Sequence, residues 1–67
     1  MRFHKRDEYY SSTEDHQFTI CRIFIRQQEF FEAWKGKRRL GWVKVDQDRR
    51  AAWQKAVAMC AKESSST

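Results

Sequence analysis

The 67-residue chain has no proline, two glycines, two cysteines and two histidines. Cys21 and Cys60 are too few and too far apart for a disulfide framework. With His4 and His16 they match no usual zinc spacing, so both read as reduced and largely buried thiols. No metal site and no cofactor is expected. No apolar run approaches the roughly 18 residues that a membrane span needs, and the polar start of the chain lacks the hydrophobic centre of a secretory signal. The expectation is a cytoplasmic protein with no membrane partner. Both histidines fall in the polar lead-in, so neither His16 beside Asp15 nor Cys21 with a histidine assembles a nucleophile and base. The chain therefore reads as no enzyme, with no catalytic residues.

What is present is aromatic and basic. Aromatic residues make up 15% of the chain and hydrophobic residues 40%, and with no proline this favours a packed fold over disorder. At this length there is one domain, a core worth a few kcal/mol, and no deep cleft. The net charge is +5, and it is unevenly spread. In residues 1–16, Arg2, Lys5 and Arg6 stand against Asp7, Glu8, Glu14 and Asp15. In residues 17–45, Arg22, Arg26, Lys35, Lys37, Arg38, Arg39 and Lys44 face only Glu29 and Glu32. The excess lies in the middle of the chain and suits an acidic partner.

That middle stretch predicts strands. Phe18 to Arg26 alternates, with Phe18, Ile20, Arg22, Phe24 and Arg26 in one phase and Thr19, Cys21, Ile23 and Ile25 in the other. Arg22 and Arg26 favour placing their own phase toward solvent at its far end, which leaves Cys21, Ile23 and Ile25 toward the core unless a bulge changes the phase midway. Glu29 to Lys35 is short, aromatic and followed by Gly36, which favours a second strand. A helix over 27–35, with Phe30, Phe31 and Trp34 on one face, is the alternative. Leu40 to Val45 alternates as a third strand, with Leu40 and Trp42 on one side and Val43 and Val45 on the other; Gly41 marks a bulge or a close backbone approach. Asp46 or Asp48 caps a helix from Arg49 to about Lys62, whose apolar stripe is Trp53, Ala56, Val57 and Cys60.

The fold expected is α+β, a three-stranded antiparallel sheet packed against one C-terminal α-helix (β-β-β-α), with β-α-β-α as the alternative. Residues 1–16 form a polar N-terminal arm, 17–63 the single domain, and 64–67 a frayed tail.

Phe18-Thr19-Ile20, Phe31-Glu32-Ala33-Trp34, Leu40-Gly41 and the spaced alanines from Ala52 to Cys60 give the chain a resemblance to short proteins carried by phages and prophages. It departs from them in having no glycine near Gln27-Gln28. The resemblance covers roughly residues 18–60 and implies a β-β-β-α fold, a mobile-element origin and a host-cell setting; it transfers no functional residue. The topology also looks like three-stranded-sheet DNA binders of the integrase-arm type, an analogy of fold alone.

The function expected is a small basic nucleic-acid-binding module, with DNA favoured over RNA. Arg22, Arg26, Lys35, Lys37, Arg38, Arg39 and Lys44 would meet phosphates, while Trp42, with Trp34 second, would meet bases. The runner-up is a protein-interaction module that docks on an acidic host protein, since Trp, Tyr and Arg are frequent hot-spot residues. An exposed strand edge would also permit a homodimer.

Overall fold

In the computed structural model, which describes residues 1–65, the chain forms one five-stranded antiparallel sheet and one helix. The strands are β1 (His4–Lys5), β2 (Tyr10–Ser12), β3 (Phe18–Ile25), β4 (Gln28–Lys35) and β5 (Arg38–Lys44), and they lie side by side in chain order. The helix α1 (Arg49–Ser65) follows. The α+β class and the C-terminal helix agree with the sequence reading, but the sheet has five strands where three were expected.

The two additional strands come from the polar arm, which has no hydrophobic alternation. Side-chain hydrogen bonds shape it instead. Asp7 Oδ1 accepts from the backbone N–H of Tyr9 (2.6 Å) and Tyr10 (3.2 Å), which closes the turn between β1 and β2. Arg6 Nε donates to Ser12 Oγ at 2.8 Å, and its Nη2 donates to the Thr13 carbonyl at 3.2 Å. Thr13 Oγ1 in turn accepts from the Phe18 N–H and donates to Asp15 Oδ1. The bond from Thr13 is the main cause holding the exposed Asp15 carboxyl below its ordinary pKa. The tail expected at 64–67 begins on helical Ser64 and Ser65, and its remaining residues, 66–67, lie outside the described residues.

Strands β3 and β4 pair along their whole length, from Phe18 opposite Lys35 to Ile25 opposite Gln28. The segment 28–35 is thus a strand and not a helix. Its tight connection places Arg26 (φ 51°) and Gln27 (φ 68°) in the left-handed region. This is the type I′ turn, one of the two two-residue turns whose twist matches the flanking strands, and it takes both signs positive even though neither residue is glycine. The next turn, Gly36-Lys37, needs positive φ only at its first position, where Gly36 (φ 59°) adopts it at no steric cost.

The core lies between α1 and the face carrying Phe18, Ile20, Phe31, Ala33 and Val43. This reverses the expected phase of β3: Phe18 and Ile20 are buried, and Cys21, Ile23 and Ile25 point away from the helix. Ile20 is opposite Ala33, which is opposite Gly41. The small residues at those two positions give a flat floor on which Ala52, Ala56 and Cys60 settle, all buried. At Gly41 a side chain would begin 3.0 Å from Met59 Sδ, so the glycine marks a close approach of the helix. Arg22 shares this face without being buried in the core, because it lies beside the start of α1 and pairs there with Glu29.

Between Gly41 and Arg39 the register with β4 slips: Ala33 faces Gly41, but Trp34 faces Arg39. Leu40 is the extra residue of this bulge. It packs against the core while Trp42 is exposed on the opposite face, so these two do not share a side as strict alternation predicts. Asp48 is the cap of α1, its Oδ1 accepting from Ala51 N–H at 3.1 Å.

Candidate functional site

With α1 on one face, the other face of the sheet is left uncovered. Two cross-strand rows define it. Tyr10, Cys21, Glu32 and Trp42 lie opposite one another across β2 to β5, and Ile23, Phe30 and Lys44 form the next row. Trp42 is 56% exposed and Ile25, at the end of β3, 54%. Large apolar side chains grouped in water are a common feature of interaction surfaces, which makes this face the candidate site. Trp42 and Phe30 are edge to face, with centroids 5.5 Å apart at 78°. Together with Ile23, Ile25, Glu32 and Arg39 they line a shallow hollow of about 210 Å³.

The polar part of this face is pre-set. Glu32 Oε1 accepts from Trp34 Nε1–H at 3.1 Å, and its Oε2 accepts from Arg39 Nη1 at 3.1 Å. One carboxylate thus fixes both an indole and a guanidinium. Beside it, the Cys21 thiol is pushed above its ordinary pKa by burial first and then by the charges of Glu32 and Asp7.

The eight residues expected to form one basic surface do not share a face. Arg39, Trp42 and Lys44 lie on the open side. Arg26 is exposed in the β3–β4 turn beside Ile25, and Lys37 is exposed in the β4–β5 turn at the other end of the strands. Arg22, Lys35 and Arg38 lie on the helix side. Arg22 is ion-paired with Glu29 and stands 4.9 Å from the Phe24 ring, Lys35 Nζ lies 5.9 Å from the Phe18 ring, and Arg38 Nη2 meets Glu63 at 2.5 Å. The strand pleat divides charges that are neighbours in sequence. The sequence reading passes over Ile23, Ile25, Phe30 and Glu32, because the arginines of β3 favour the opposite phase of that strand. The signal available was the small-residue pair Ala33 and Gly41, which marks the side that a helix can approach.

A second recess, of about 550 Å³, opens on the helix side between the N-terminal hairpin and the first turn of α1. Its cations are partly engaged within the protein: Glu29 takes Arg22 and also Arg49, the latter at 3.5 Å. Tyr9 and Trp53 line it as well.

The open edges of the sheet are blunted. β1 is two residues long, and β5 carries Arg38, Arg39, Lys44 and the Leu40 bulge, features that disfavour strand-by-strand extension. Among the described residues no group of three metal-type ligands occurs, and no helix is long and apolar enough to cross a membrane.

No protein-family model, curated protein or solved structure matches this chain.

Proposed function

We propose that this chain is a small non-enzymatic nucleic-acid-binding module that works through the open face of its sheet. The observation that carries the proposal is the position of Trp42, an exposed indole braced by Phe30 with Arg39 and Lys44 on the same strand. Aromatic rings offer π-faces to bases, and the flanking cations neutralise phosphates with release of counterions. Arg26 and Lys37 extend the positive charge to the two ends of the strands. Arg22, Lys35 and Arg38 are removed from the contact set because they serve the helix side. DNA is the favoured form.

The test is an anisotropy titration with labelled oligonucleotides over a range of salt. Affinity is expected to fall steeply with salt, and Lys44→Gln to reduce the log–log slope by about 1. Affinity that does not change with salt would remove the proposal.

The aliphatic half of the hollow supports a second reading. Ile23 and Ile25 add apolar area that phosphate recognition does not use, which suits a protein partner with a matching apolar patch and acidic rim. Recovery of a specific partner after nuclease treatment, abolished by Ile25→Asp, supports that reading; recovery unaffected by the substitution counts against it.

A further inference from the structure

We propose that the open face selects single-stranded nucleic acid over duplex, one unstacked base entering the hollow between Trp42, Phe30 and Ile25. This rests on the nucleic-acid reading above and adds the form of the ligand.

The first argument is one of shape. A two-stranded ribbon fits a major groove about 12 Å wide. Five strands at the usual spacing are roughly 19 Å across only where β1 and β2 pair; β2 ends opposite Cys21, so beside the hollow the sheet is three strands, roughly 10 Å, with α1 behind it. The wide β1–β2 end keeps the full face out of a groove, and at the hollow the choice between ligands rests on charge and on the hollow itself.

The second argument is the number of cations. Duplex binders that rely on phosphate contacts neutralise roughly six to ten of them. Here the open face offers Lys44 and Arg39, with Arg26 and Lys37 at the two ends, and Arg39 already holds Glu32. Phosphate contacts alone give this face a weak hold. The remaining affinity comes from stacking, and a duplex keeps its base faces stacked on one another. A single strand presents them.

The third is the hollow itself. Its 210 Å³ corresponds to the volume of about seven waters, room for one planar heterocycle. Trp42 and Phe30 form its aromatic wall, Ile23 and Ile25 its aliphatic one. The Glu32–Arg39 pair supplies both acceptor and donor atoms at the edge of the base.

The experiment compares a short single strand with its own duplex, at low salt, on the intact chain and on Trp42→Leu. Trp42 is exposed, and thermal unfolding of the variant checks that it stays folded. The single strand is expected to bind at least about tenfold tighter than the duplex, and Trp42→Leu to remove about tenfold from the single strand while leaving the duplex nearly unchanged. Equal or tighter duplex binding, or an equal loss on both ligands, overturns the inference and leaves the nucleic-acid reading in place. Absence of binding to either ligand overturns both.

Discussion

Trp42 stands edge-on to Phe30, their ring centroids 5.5 Å apart at 78°, on the face of the sheet that the helix does not cover. The pair stiffens an indole that would otherwise be free to change rotamer, so less conformational entropy is lost when a ligand stacks on it. Because Trp42 is mostly exposed, its removal forfeits little burial. Trp42→Ala is expected to lower stability by no more than about 1.5 kcal/mol, the upper range for an aromatic pair, while reducing oligonucleotide affinity by about 1–3 kcal/mol. Denaturant unfolding and titration of the same sample measure both. A large stability loss would place Trp42 in the core.

The β3–β4 turn stores strain. Arg26 and Gln27 both have positive φ, a conformation that costs a residue with a side chain roughly 1–2 kcal/mol. Part of the gain from glycine is offset by its larger freedom in the unfolded chain. Gln27→Gly is expected to stabilise by about 0.5–1 kcal/mol and raise Tm by a few degrees. A fall in Tm would mean that the turn does not have this geometry.

The helix rests on the sheet through alanines. Ala56 is fully buried, whereas Ala58, two residues on, is exposed. Ala56→Leu is expected to cost about 1–3 kcal/mol or more by overpacking, while Ala58→Leu is expected to change stability by less than about 0.5 kcal/mol. Equal effects at both positions, measured by thermal unfolding, would contradict the placement of α1.

The two thiols separate by environment. Burial pushes Cys60 up to about 11 from an ordinary 9.0, and Cys21, half-buried on the open face, is raised by burial and neighbouring carboxylates. Alkylation near pH 8 is expected at Cys21 first and at Cys60 only on unfolding. Between pH 9 and 11 the unfolded chain loses the Cys60 proton while the folded chain keeps it. The stabilisation from this group is therefore complete below pH 9 and declines as pH rises to 11. The stability difference between the native chain and Cys60→Ala should narrow across that window, and a constant difference would refute the assignment.

The helix was legible because its stripe, cap and length are local signals: Ala56 and Cys60 recur at helical spacing and Asp48 precedes them. The β3–β4–β5 order was legible from β-branched and aromatic content and from Gly36. The first two strands were not, since β1 and β2 are organised by Asp7, Arg6 and Thr13 through hydrogen bonds that leave no periodic trace. Nor was the choice of face. Arg22 reads as a solvent marker, yet it lies beside the helix start with Glu29 and Arg49, a long-range arrangement that single-strand alternation does not encode. Correcting that phase divides the basic cluster and brings Phe30, Ile23 and Ile25 to Trp42.

The three indole N–H groups report directly on which face binds. Trp42 and Trp34 lie on the open side, while Trp53 packs against Phe31 and Phe3 on the helix side. A ¹⁵N-edited NMR titration with a short single strand, at low and moderate salt, follows all three at once. Salt-sensitive movement of the Trp42 and Trp34 indole signals, with Trp53 unmoved, is the expected result. No movement at low salt, or movement of Trp53 alone, would contradict binding at the open face.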